Sequence, residues 1–179
     1  MAVTGLVLAL LLAGWGVYLY NRLVADRNQV QAGWSDIDVQ LTRRHELVPR
    51  LVEAVKGYVS HERATLEAVT ALRRRSTEVG QLAVKAGVEK ELEAGVRKLI
   101  ALAEAYPDLK SSENFLELQR ELVEIEDHLQ YARRFYNGAV RVFNTRIETV
   151  PDLIVARLFA FRPAEFFATT ARDAPMVSL

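Results

Sequence analysis

Apolar side chains recur at alternating steps of three and four through Phe115, Leu118, Leu122, Ile125, Leu129, Ala132, Tyr136, Ala139, Phe143, Ile147 and Val150. That is the seam of one helix of about ten turns, and Glu117, Arg120, Glu121, Glu124 and Asp127 lie between the seam positions as its solvated face. Pro151 closes it, because the residue before a proline is biased away from helical angles. A second seam runs Val30, Trp34, Ile37, Leu41, then Val48, Val52, Val55, Val59, and after a polar interruption Leu66 and Val69. Pro49 falls inside it, and since the same register resumes on both sides a kink is preferred to two separate helices. Arg43, Arg44 and His45 occupy the break in this seam. A third, weaker run passes through Val84, Val88, Leu92, Val96, Leu99, Ala103 and Tyr106 to a Pro107–Asp108 turn, and a short apolar segment from Leu153 to Phe161 follows Pro151. Alternating strand patterns are absent, so the fold predicted is all-α, an antiparallel bundle of long helices.

The first segment has a different pattern. Ala2 to Tyr20 carries no charge, and as a helix it would span roughly 28 Å, close to the roughly 30 Å core of a bilayer. Leu6, Leu8, Leu10, Leu11, Leu12 and Trp15 would face lipid, with Tyr18 and Tyr20 at the interfacial belt and Arg22 just outside. A cleaved signal peptide would need a basic region ahead of the apolar run, but no Lys or Arg precedes Arg22. Leu12-Ala13-Gly14 resembles a lipoprotein cleavage site, yet Trp15 stands where the lipidated cysteine belongs. A single-pass anchor is therefore preferred to a signal peptide or a buried helix. Arg22 and Arg27 lie on its C-terminal flank, which by the positive-inside tendency puts the bundle in the cytoplasm, with a very short N-terminus outside. No Gly or Pro interrupts Val17 to Ala32, so the anchor is expected to continue as one rod into the first bundle helix. The predicted organisation is an anchor over 1–21, a bundle over 22–167 and a mobile tail over 168–179.

At 179 residues, with 23 basic and 23 acidic side chains, the chain has room for one domain and no positive groove for nucleic acid. It has no cysteine, which removes disulfides, thiolate metal sites and thiol catalysis. A di-metal carboxylate bundle needs Glu-x-x-His turns, and the residues three before His45, His61 and His128 are Thr42, Tyr58 and Ile125. His45-Glu46 and His61-Glu62 begin like a zinc-protease helix, but Pro49 and Thr65 stand where the second histidine belongs. No phosphate loop or nucleophile elbow is present. The expectation is a protein without catalytic residues, metal or cofactor, whose histidines serve surface or hydrogen-bonded structural roles.

Two patterns admit a functional reading beside a packing one. An aromatic-Asn step recurs at Tyr20-Asn21, Tyr136-Asn137 and Phe143-Asn144. It is either a core aromatic with a polar neighbour or a ladder in which Asn137 and Asn144 fix helix register or subunit contacts. The chain end is rich in phenylalanine (Phe159, Phe161, Phe166 and Phe167), read first as the core of a last short helix and otherwise as a patch for self-association or the membrane interface. Val177-Ser178-Leu179 has the form that carboxylate-capturing domains bind.

Tyr20 to Val24 (YNRLV), Gly33 to Tyr58 (GWSDIDVQLTRRHELVPRLVEAVKGY) and His61-Glu62 resemble the first half of the LemA family. Tyr106 to Lys110 (YPDLK), Glu113 to Leu122 (ENFLELQREL), Ala132 to Asn137 (ARRFYN), Phe143-Asn144 and Ala174 to Leu179 (APMVSL) are similar to its second half. Leu179 and Val150 stand where the family pattern has aromatics. The resemblance implies a single N-terminal anchor, a bundle of long helices and, through a magnetosome-associated member, a part in membrane organisation. It carries over no catalytic residues. The function expected is a self-associating scaffold in the bacterial inner membrane whose partners are lipid and further copies of the chain. The alternative is an adaptor that brings a protein partner to a membrane enzyme through the bundle or the C-terminal tail.

Overall fold

The computed structural model describes residues 1–59 and 62–167. Its elements are α1 (Ala2–Lys56), α2 (Arg63–Glu78), α3 (Leu82–Ala103), α4 (Pro107–Lys110), α5 (Glu113–Glu148) and α6 (Asp152–Leu158), with no strand among the described residues. The all-α bundle read from the seams is what the chain forms.

The helices follow from their periodicity. Phe115, Leu118, Leu122, Ile125, Leu129, Ala132, Tyr136, Ala139, Phe143 and Ile147 are all buried along α5, and only Val150, beyond the helix end, is exposed. α1 runs 55 residues without a break and passes through Pro49, so Pro49 does not divide it. The break falls instead at Gly57 and Tyr58, where Val59 N–H still reaches the Val55 carbonyl at 3.1 Å before α2 begins as a separate helix. Pro107 opens the one-turn helix α4 where a plain turn was expected; its fixed φ and missing N–H suit a first helical position.

α1 and α5 are antiparallel neighbours. Asp26 pairs with Arg146 at 2.8 Å and Arg44 pairs with Glu126, so residue numbers fall along α5 as they rise along α1. Between these pairs lies Gly33, where a Cβ would stand 3.1 Å from Tyr136 Cα; the two backbones touch there, which only a residue without a side chain permits. α2 and α3 form an antiparallel hairpin over the far half of α1, with Gly95 packed on Val69.

The near half is closed differently. α6 crosses the end of the α1–α5 pair and stops at Leu158. The chain then reverses through Ala160, which has a left-handed φ of 53°. Ala160 N–H reaches the Arg157 carbonyl at 3.3 Å and Phe161 N–H the Ala156 carbonyl at 2.9 Å, the paired bonds of a Schellman cap. Residues 161–167 run back along α1 and α5 as a non-helical strap. Phe161, Phe166 and Phe167 are therefore not in a last short helix. Pro163 explains this, since it lacks the N–H a helix needs and pushes Arg162 toward extended angles. Phe167 of the strap and Lys85 of α3 meet on one indole: Trp34 lies 5.8 Å from the Phe167 ring, 6.0 Å from Tyr136 and 5.7 Å from Lys85 Nζ.

Candidate functional site

Three features outside ordinary core packing stand out along α1. The first is its beginning. Leu6, Leu8, Leu10, Leu11, Leu12, Trp15 and Tyr18 are all exposed, and α1 has an apolar window long enough to cross a membrane. Packing begins at Leu19 and is complete at Leu23. Tyr20, expected at the interfacial belt, is half-buried, its ring 4.7 Å from Phe159 and 5.8 Å from Phe161. The apolar rod thus joins the bundle without a hinge.

The second is the strap. Asn144 donates to the Ala164 carbonyl at 2.9 Å and accepts from Ala164 N–H at 2.8 Å. Asn137 treats Phe167 in the same way, at 3.2 and 3.0 Å, and Tyr136 Oη donates to the Glu165 carbonyl at 2.7 Å. Each amide stands in for the partner strand that an extended segment would otherwise lack. The two asparagines are seven positions apart on α5, about two turns, which matches three residues of extended chain. Both side chains are engaged within the chain. Phe167 is buried against Trp34 and under Arg133, and Phe166 is half-buried against the core. Val177 and Leu179, the expected tail contacts, lie outside the described residues, as does His61.

The third feature is a buried polar layer in which all four long helices meet. His45 Nε2 from α1 donates to Glu89 Oε1 on α3 at 2.6 Å, the Ser76 hydroxyl from α2 donates to the same oxygen, and Arg44 holds Glu89 Oε2 at 3.2 Å. Arg44 also pairs with Glu126 of α5, while Arg133 lies 3.8 Å from Glu93 and 3.9 Å from Glu126. Burial by itself would raise the Glu89 carboxyl. The hydrogen bonds from His45 and Ser76, with the charges of His45 and Arg44, outweigh it and hold Glu89 below the ordinary carboxylate range. Burial raises Glu126, with Glu93 adding repulsion and Arg44 opposing it, and burial lowers the Arg133 guanidinium.

Sequence reasoning saw only the gap this layer leaves in the α1 seam. The missed signal was that Arg44 and Glu89 each occupy a seam register, three positions after Leu41 and three before Leu92. In this layer the Ser76 hydroxyl donates a hydrogen bond to the Glu89 carboxylate, and Ser76 and Glu89 are both fully buried, out of reach of a substrate. The arrangement ties four helices together in register. Among the described residues no group of three or more His, Cys, Asp or Glu side chains is placed to hold a metal.

A helical bundle continuous with one membrane-length apolar helix is thus the class of protein that these features define. A sequence model of the LemA family matches residues 33–179, and the chain belongs to that family. It is similar to magnetosome protein MamQ of Magnetospirillum gryphiswaldense, with 24% identity across 89% of this chain and 68% of that one. It is likewise similar to magnetosome protein MamQ 2 of Paramagnetospirillum magneticum, at 26% identity over the same shares. Protein LemA of Metamycoplasma hominis is 27% identical across 83% of this chain and 69% of its own length. None of these names specifies a reaction. With the apolar start of α1, the relatives point to a membrane-associated helical protein.

Proposed function

We propose that this protein is a non-enzymatic scaffold of the bacterial inner membrane, anchored once, with its bundle in the cytoplasm, associating side by side to organise or shape the bilayer. The observation that carries the reading is α1, a single helix that begins as an exposed apolar rod and ends packed within the bundle. A bundle on such a rod keeps a fixed height and tilt relative to the membrane, so contacts between neighbouring copies translate directly into membrane geometry. The relatives named for the magnetosome favour this reading over a soluble role.

The α1–α5 face supplies a surface for the contact. Tyr131, Phe135 and Val142 lie exposed along one side of α5, with Val39 of α1 beside Tyr131 and Phe135, an apolar stripe on the bundle surface. The test is mass photometry of the full chain in lipid nanodiscs and electron microscopy of proteoliposomes. Assemblies larger than a monomer, lost in Tyr131→Glu and Val142→Glu, are the expected result; a strict monomer with unaltered liposome shape overturns it. An adaptor role through residues 168–179 predicts the reverse, with assembly unchanged but captured partners lost on their deletion.

A further inference from the structure

α6 carries large apolar side chains that the bundle does not use. Val155 and Ala156 face the core, whereas Ile154 and Leu158, one turn apart, are 65% and 76% exposed, and Val150 and Phe159 at the two ends of α6 are 73% and 55% exposed. The position of this cluster along α1 separates it from a chance patch. Phe159 lies against Tyr20, and the uncharged run of α1 continues to Asn21, beyond the first packed residue Leu19. The end of the lipid-compatible segment and the base of the bundle therefore overlap, and α6 closes that base. Arg22, Arg157 and Arg162 are exposed beside it; the acids nearby are exposed Glu148 and buried Asp152, which lines a groove with Arg22.

We propose that α6 and its flanking residues are a second membrane contact, with Val150, Ile154, Leu158 and Phe159 seated at the acyl–headgroup boundary and the arginines taking anionic phospholipid headgroups. A short amphipathic element with apolar residues on one side and basic residues at its margins is suited to that boundary. Continuity with the anchor favours lipid as the occupant over a protein partner, because any surface at this level already faces the bilayer. Burial of large apolar side chains is favourable in proportion to the area removed from water, so partial insertion of several would hold the base down. The bundle would then have two points of attachment, which fixes its rotation about α1 as well as its height. The inference rests on α1 crossing the membrane.

The chain has no cysteine, so a single introduced cysteine takes a fluorophore uniquely. Ile154→Cys and Leu158→Cys, labelled with an environment-sensitive dye, would be placed in nanodiscs of phosphatidylcholine and phosphatidylglycerol with brominated acyl chains. Leu11→Cys would report the anchor, and Val123→Cys the far end of α5. Blue-shifted emission and quenching by brominated lipid at 154 and 158, absent at 123 and weaker without phosphatidylglycerol, is the expected result. Emission at 154 and 158 that stays water-like while the Leu11 probe is quenched overturns the second contact and leaves the anchor standing. A blue shift without lipid quenching also overturns it, because the face is then covered by protein. An unquenched Leu11 probe removes the anchor and both readings with it.

Discussion

Arg73 Nε of α2 donates to the carbonyl oxygen of His45 at 3.0 Å, and that oxygen is the acceptor whose helical donor is missing because residue 49 is proline. α1 therefore passes through Pro49 with its freed carbonyl satisfied from a neighbouring helix, directly beside the Glu89 layer. The proline that reads as a break in the sequence is a point of attachment in the fold.

Because the two residues share one acceptor, their substitutions are coupled. Arg73→Met is expected to cost about 1–3 kcal/mol, the range for losing a charged hydrogen bond to a buried group. In a Pro49→Ala background the restored N–H of residue 49 serves the His45 carbonyl, and the cost of Arg73→Met is expected to shrink. Urea unfolding of the four proteins in a double-mutant cycle measures this. Equal costs in the two backgrounds would show that Arg73 stabilises by packing alone.

Glu89 sets the acid sensitivity of the bundle. Its folded carboxyl lies below the ordinary range, so its ionised form contributes stability that is present above that range and lost as pH falls through the folded value. Glu126, raised by burial, has the opposite sign: acidification above the ordinary range relieves the fold. Glu89→Gln is expected to cost about 3–5 kcal/mol at neutral pH, since it leaves buried Arg44 short of a counter-charge. It should also flatten the fall in stability at acid pH. Urea midpoints from neutral pH down to pH 3 test both, and an acid slope matching wild type would remove Glu89 from this role.

The long helices could be read from the sequence because burial on a helix imposes its own period. The α5 seam shows this residue by residue, from Phe115 to Ile147. The polar layer could not, since Arg44 and Glu89 are charged, and charge at a helical position ordinarily marks solvent; only their mutual placement across α1 and α3 makes them interior. The strap was hidden for a different reason. Residues 161–167 have no period, and their backbone is satisfied by Asn137 and Asn144, contacts 20 and 30 positions away in the chain. The aromatic-Asn repeat drew attention to both asparagines without showing what they hold. The contacts of Tyr20 were hidden because its partners, Phe159 and Phe161, arrive from the other end of the sequence.

The strap should detach in two separable steps. Asn144→Leu removes both hydrogen bonds to Ala164, and Asn137→Leu both bonds to Phe167. Each is expected to cost about 1–3 kcal/mol through unpaired backbone groups. Amide hydrogen exchange resolves them: Asn144→Leu should remove protection at Ala164 more than at Phe167, and Asn137→Leu the reverse. Unchanged protection at Ala164 in Asn144→Leu would mean that the phenylalanine rings alone seat the strap.

Two glycines separate helix propensity from helix contact. Gly138 lies exposed within α5 with nothing within 4 Å of an added Cβ, so Gly138→Ala is expected to stabilise by about 1 kcal/mol. Gly33 gains the same propensity on replacement, but its Cβ would stand 3.0 Å from Phe135 Cδ1 and 3.1 Å from Tyr136 Cα. The ring can rotate away; the Cα belongs to the α5 backbone and can yield only if the two helices separate. Overpacking of that kind costs about 1–3 kcal/mol, and separation would also stretch the Asp26–Arg146 pair and the strap that bridges both helices. Gly33→Ala is therefore expected to be destabilising overall, and thermal unfolding of the two variants side by side should move in opposite directions. A Gly33→Ala protein as stable as Gly138→Ala would show that α1 and α5 slide past one another freely, which a bundle locked by the Glu89 layer does not allow.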